Sequence, residues 1–205
     1  MRNLLQLYAI SDGNIATASA ALCGGITLLQ LRNKLLPSDE LLNLARQVKQ
    51  LADKHNVPLI INDRVDIAME VDAAGVHLGP SDGDLCAARA VLGKHKILGA
   101  TARTLEQALA AQAAGADYLG SGAVFCSATK RDATHMPLGL FHEICNSVTI
   151  PVVAIGGIDA TNVAQLQGCG MAGFAIAGGI FTAADVYQAT LNLKEAALQC
   201  LAPSP

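Results

Sequence analysis

Two carboxylates and several cations stand just past short apolar runs of this chain. Leu59-Ile60-Ile61 runs straight into Asn62-Asp63-Arg64, and Val76-His77-Leu78-Gly79 is soon followed by Asp82. A third run ends in Gln30-Leu31-Arg32-Asn33-Lys34, and Thr129-Lys130-Arg131-Asp132 lies beyond Tyr118-Leu119-Gly120. Asp63 and Asp82 are about one strand–helix unit apart, so loops on neighbouring strands would bring them together. Two acidic oxygens with room for water and phosphates suit Mg2+, which rarely has an all-protein cage. A quieter role fits the same residues: Asp63 capping a helix that starts at Val65, and Asp82 ending the turn Pro80-Ser81-Asp82-Gly83.

Arg32 and Lys34 alternate with Leu31 and Asn33 and so project to one side of an extended strand end. Arg offers a planar fork for phosphate oxygens, and Lys a point charge. Lys130 and Arg131 add two more cations beside the Ser127 and Thr129 hydroxyls. A solvated loop accounts for any one of these pairs. Four cations opposite two carboxylates favour a metal–diphosphate site. Gly156-Gly157 and Gly178-Gly179 end two later apolar runs, where backbone N–H groups can approach a phosphate closely.

His77 reads as an inward structural histidine rather than a base. The six cysteines form no C-x-x-C pair and read as reduced, mainly buried small hydrophobes. Cys126 is the exception, because Lys130 and Arg131 stand close enough to lower its thiol pKa. There is no P-loop, dinucleotide fingerprint or Ser-His-Asp order.

The elements that position these groups alternate along the chain. Strands are predicted at Leu4–Ile10, Thr27–Leu31, Leu59–Ile61, Val76–Leu78, Ile97–Ala100, Tyr118–Gly120, Val152–Ile155 and Gly173–Ile176. Helices are predicted near Ile15–Cys23, Asp39–His55, Val65–Glu70, Asp84–Leu92, Leu105–Ala114, Leu140–Ser147, Asn162–Gly168 and Ala183–Ala197. Ser38 stands at the start of a Leu-rich helix, and Thr104 with Gln107 reads as a capping box. Gly24, Gly75 and Gly115 stand where helices should stop. Eight strand–helix units predict a closed (β/α)8 TIM barrel, one domain over residues 1–205, with its chemistry on the loops after the strands.

Composition sets the remaining bounds. The chain has 205 residues, 52% of them hydrophobic and 15% charged, which argues against disorder. A formal charge of −3 without basic runs argues against broad nucleic-acid binding, so an anionic ligand must be held by a local cluster. Every apolar stretch is interrupted before it could span a bilayer. The start is interrupted too quickly for a secretory signal, so a cytoplasmic enzyme is expected.

Taken together, Gln30–Lys34, Ile61–Ala68, Gly75–Gly79, Thr129–Asp132 and Val153–Ile158 resemble the thiamine phosphate synthase family. The resemblance is collinear over nearly the whole chain. It implies a transferase that joins a hydroxymethylpyrimidine diphosphate to a thiazole phosphate, releasing pyrophosphate. Gln30, Arg32, Lys34, Asn62 and Lys130 would bind the pyrimidine diphosphate, with Arg32, Lys34 and Lys130 stabilising the leaving group. Asp63 and Asp82 would hold Mg2+. Ser127 and Thr129, with backbone at Gly157, Ala177 and Gly178, would bind the thiazole phosphate. Thr101 and Arg103 replace the family's usual serine and histidine, and Thr101 keeps the hydroxyl at the substrate. Cys126-Ser127-Ala128-Thr129 lacks the usual proline, Pro80-Ser81 replaces a common Gln-Glu, and Ala177-Gly178-Gly179 lacks the usual serine. The partners expected are these small molecules, with no nucleic acid, no membrane, and a homodimer as the assembly. Two other readings share the barrel: a thiazole tautomerase, and a non-catalytic phosphate-binding regulator. Asp63 and Asp82, with an alanine at 123 where the tautomerases use a histidine, favour the synthase.

Overall fold

A computed structural model describes residues 1–125 and 135–202. Eight parallel strands follow one another around a closed barrel in chain order. They are β1 (Leu7–Ser11), β2 (Leu28–Leu31), β3 (Leu59–Asn62), β4 (Gly75–Leu78), β5 (Ile97–Thr101), β6 (Tyr118–Gly122), β7 (Val152–Ile155) and β8 (Gly173–Ile176). The helices are α1 (Ile15–Gly24), α2 (Ser38–Lys54), α3 (Val65–Glu70), α4 (Leu85–Leu92), α5 (Leu105–Ala113), α6 (Leu138–Ser147), α7 (Gly178–Phe181) and α8 (Val186–Leu201). The predicted (β/α)8 barrel is thus the observed fold. No helix of the described residues is long and apolar enough to cross a membrane.

The period of two along each strand divides the core into two layers. Tyr8, Leu28, Ile60, Tyr118, Val153 and Ala175 pack inside the barrel, with Leu5 and Ala172. Their neighbours Leu29, Leu31, Ile61, Val76, Leu119 and Ala154 face the helices, where Ala45, Val48, Ala108 and Phe141 cover them. Strands covered on both sides need apolar residues at both parities, which is why these segments read as unbroken apolar runs.

Several local expectations are corrected. Arg2–Leu5 is a short 3-10 turn and not the start of β1, and it places Leu5 inside the barrel. Asn162–Gly168 holds only a 3-10 turn over Val163–Leu166, and the short helix α7 precedes the long final one. Ser38 is the first residue of α2 after Pro37 and makes no cap; its hydroxyl instead accepts from Arg64 at 2.9 Å. Gly25 rather than Gly24 carries the left-handed conformation after α1. Gly75 opens β4 and ends no helix. Thr104 does cap α5, accepting from the Gln107 N–H at 3.1 Å. Of the five described cysteines only Cys200 is buried, while Cys23 and Cys86 are exposed, so the expectation of mainly buried thiols does not hold.

At the N-terminal rim one side chain joins three elements. Arg89 of α4 donates to the carbonyls of Gly93, Lys96 and Gly115, at 2.7 to 3.1 Å, and to Asp117 at 2.6 Å. Asp117 in turn accepts from the Leu98 N–H at 2.8 Å, tying β5 to the start of β6. A lysine cannot reproduce this fork. Arg89→Lys should destabilise the protein by about 2 kcal/mol in urea unfolding, through lost hydrogen bonds to carbonyls and a carboxylate. Substrate affinity should be unchanged, because the clamp lies at the barrel end away from the polar strand exits.

Candidate active site

The C-terminal strand ends enclose a cavity of about 640 Å3. That is ample for two small molecules at once. Strand parity decides which side chains enter it. Tyr8 and Tyr118 point into the barrel, and the same parity gives Ile10, Gln30, Arg32, Asn62, His77 and Thr101, all of which line the cavity. The Gly157, Ala177 and Gly178 segments line its other side, together with Gly156 and Thr182. Asn162 donates to the Gly157 carbonyl at 2.7 Å and accepts from the Asp159 N–H at 3.0 Å, so it holds the glycine loop after β7 in place. Sequence reasoning missed that role because it placed Asn162 at the head of a helix.

Asp63 follows Asn62 and by parity would point away from the cavity. It does not, because its φ of +64° turns the chain back. The Arg64 N–H reaches the Asn62 carbonyl at 2.8 Å across it, closing a three-residue turn. A side chain in this left-handed region is held there at some conformational expense. The result is that two successive residues, Asn62 and Asp63, both line the site. Helix α3 has no side-chain cap, so the capping role considered for Asp63 is not the one it plays. Asp82 does close its turn, accepting from the Gly79 N–H at 2.8 Å, while also lining the cavity.

The two carboxylates converge on one cation. Lys34 Nζ lies 2.7 Å from Asp63 Oδ2 and 3.7 Å from Asp82 Oδ1. Burial, and then the neighbouring Asp82 carboxyl, push the Asp63 pKa up. The neighbouring Asp63 carboxyl, and then the Gly79 N–H, hold Asp82 below the usual carboxylate range. Such a pair attracts positive charge strongly, and with two acidic ligands plus solvent it fits Mg2+. Among the described residues no group of three or more His, Cys, Asp or Glu side chains is placed to hold a metal. Any ion here would therefore depend on water and ligand oxygens for the rest of its shell.

Below the carboxylates the barrel interior holds a buried polar chain. Gln30 Nε2 donates to the Tyr8 hydroxyl. The Tyr8 and Tyr118 hydroxyls are 2.8 Å apart, Tyr118 is 3.0 Å from His77 Nδ1, and His77 Nε2 is 2.9 Å from Thr101 Oγ1. The glycine at 99 leaves room for it, since a Cβ there would run into the Tyr118 ring. Burial pulls the His77 pKa down to about 4, so the ring is neutral at pH 7. His77 is thus the inward histidine expected. Neither tyrosine was singled out in the sequence, where each reads as one more apolar strand residue.

The family model described as thiamine monophosphate synthase matches residues 7–180. The chain belongs to the thiamine monophosphate synthase family. It is 43% identical over 192 residues to thiamine-phosphate synthase 2 of Streptococcus pneumoniae, covering 90% of this chain and 91% of that one. It is 44% identical over 194 residues to thiamine-phosphate synthase of Clostridium tetani, covering 91% and 93%. Among solved structures, thiamine phosphate pyrophosphorylase from Pyrococcus furiosus superposes with a TM-score of 0.91 at 38% identity, covering 98% and 99%. Of the residues that the family resemblance assigns, the structure gathers Gln30, Arg32, Lys34, Asn62, Asp63, Asp82, Thr101, Gly157, Ala177 and Gly178 around one cavity. Ser127, Thr129 and Lys130, like Cys126 and Arg131, lie outside the described residues.

Proposed function

We propose that this member of the thiamine monophosphate synthase family is a transferase that couples an aminopyrimidine methyl diphosphate to a thiazole phosphate, forming thiamine phosphate. The observation that carries this reading is the Asp63–Asp82 pair converging on Lys34, with Arg32 lining the same cavity. Breaking the C–O bond sends an electron pair onto the diphosphate, which leaves as pyrophosphate. The thiazole nitrogen lone pair then forms the C–N bond. No proton has to be removed from that nitrogen, so a site without a general base is adequate. Arg32 and Lys34, with Lys130 by family resemblance, would stabilise charge that grows on the leaving group. Asp63 and Asp82 would hold Mg2+, which supplies further positive charge to the diphosphate. Asn62 and Gln30 would orient the pyrimidine end, and Thr101 would offer its hydroxyl beside them. Ser127, Thr129 and the backbone at Gly157, Ala177 and Gly178 would hold the thiazole phosphate. The same reading places the enzyme in the cytoplasm and takes a homodimer as its assembly.

Incubating the protein with both substrates and following thiamine phosphate by chromatography tests the reading. Product should appear in step with pyrophosphate, stop on addition of chelator, and resume with excess Mg2+. Isomerisation of the thiazole without coupling would overturn the proposed function. Coupling that ignores the chelator would overturn the metal assignment alone.

A further inference from the structure

The polar chain inside the barrel joins five strands in the order Gln30, Tyr8, Tyr118, His77, Thr101. Four of its members are buried: Gln30 at 2%, Tyr8 at 1%, Tyr118 at 0% and His77 at 8% exposure. Buried hydroxyls and ring nitrogens need partners of the right kind, so the protons along such a chain must be ordered. An amide nitrogen can only donate. Gln30 Nε2 therefore gives a proton to Tyr8, and the direction of every later link follows. Tyr8 gives its proton to Tyr118, and Tyr118 gives its own to His77 Nδ1. The only proton left on the ring is then on Nε2, and it goes to Thr101 Oγ1. The opposite order would leave the buried Tyr8 proton without an acceptor in the chain.

We infer that this one-way chain locks His77 as the neutral Nε2–H tautomer and makes the Thr101 hydroxyl a donor into the cavity, with Tyr8, Tyr118 and His77 as positioning residues. Thr101 lines the cavity, so its hydroxyl proton is free for an acceptor on the ligand, a ring nitrogen or an anionic oxygen. Burial raises the pKa of both phenols, so each has a proton to give at neutral pH. The T-shaped packing of the Tyr8 and Tyr118 rings, 5.8 Å between centroids, sets the two hydroxyls against each other. The His77 and Tyr118 rings, 5.5 Å apart, fix the next link in the same way. The identity of the acceptor on the ligand rests on the proposed function, whereas the tautomer does not.

The tautomer can be read directly from long-range 1H–15N correlation spectra of ligand-free protein labelled on histidine. At pH 7 His77 should show a protonated Nε2 and a bare Nδ1. In Tyr118→Phe, which keeps the ring but removes the proton given to Nδ1, the two nitrogens should average towards each other. The KM for the pyrimidine diphosphate should rise about tenfold, the worth of one hydrogen bond, with a smaller change in kcat. Thr101→Val should raise the same KM about tenfold while the Nε2–H tautomer persists. A bare Nε2, an imidazolium at pH 7, or an unchanged tautomer in Tyr118→Phe would each overturn the inference. Because the spectra need no substrate, an ordered chain in a protein with no coupling activity would reject the proposed function and leave this inference standing.

Discussion

Asp63→Asn should leave the barrel folded and remove most of the coupling activity. The φ of +64° at this position excludes most replacements on conformational grounds. Asparagine is among the few residues that tolerate the left-handed region, and it matches aspartate in shape. The turn that brings residue 63 back into the cavity therefore survives, and only the charge is lost. One carboxylate, Asp82, would then face the cation, and stabilisation of the leaving diphosphate would weaken. We expect kcat/KM to fall by roughly 10^2 to 10^3, the scale seen when one preorganised electrostatic group is removed from an active site. The unfolding free energy should stay within about 0.5 kcal/mol of the parent. Steady-state rates over a range of Mg2+ concentrations, with a urea titration of each protein, make the comparison. Wild-type rates in the variant would remove Asp63 from the chemistry, and a collapse in stability would show that the turn needs the carboxylate itself.

Gly75→Ala should have a large effect on stability. The first residue of β4 lies so close to β5 that an added Cβ would collide with the Ile97 carbonyl and come within 2.7 Å of the Ile97 side chain. Backbone on both sides is held by the ladder, since Gly75 pairs with Ile60 and with Ile97. Neither strand can retreat without disturbing the barrel, and overpacking of this kind costs about 3 kcal/mol. Gly139→Ala provides the contrast. That glycine sits in α6 with nothing near its missing side chain, so alanine there should stabilise by about 0.5 to 1 kcal/mol. Urea midpoints moving in opposite directions would support the packing argument; equal shifts would refute it.

These two glycines show what a pattern of apolar residues conveys. The alternation of apolar runs with helical stretches was enough for the barrel, and the predicted bounds of β7 and β8 coincide with those observed. Gly75 has no side chain to contribute to a pattern, so it read as helix punctuation. Leu4 and Leu5 extended an apolar run and read as strand, although they form a turn that seals the barrel from below. Periodicity cannot tell a plug from a strand when both are buried. The candidate site was legible where polarity breaks abruptly, at Arg32, Lys34, Asn62, Asp63 and Asp82. It was not legible where polar groups hide in apolar company. Tyr8 and Tyr118 become part of a network only when β1 and β6 face each other across the barrel, and no local signal in the chain announces that pairing. The backward turn at Asp63 is equally silent in sequence, since few aspartates adopt it.

Closure of the barrel has a consequence for how the chain is made. β1 takes its second neighbour from β8, with Leu7 opposite Phe174, and α1 packs against α8. A ribosome adds about 5 to 20 residues per second, so roughly ten to thirty seconds separate the emergence of the two strands. Through that interval one edge of β1 has no partner, and the growing sheet is an open template for other chains. The last strand and helix therefore act as a latch, and early termination anywhere before them should release a product that associates rather than a smaller working barrel.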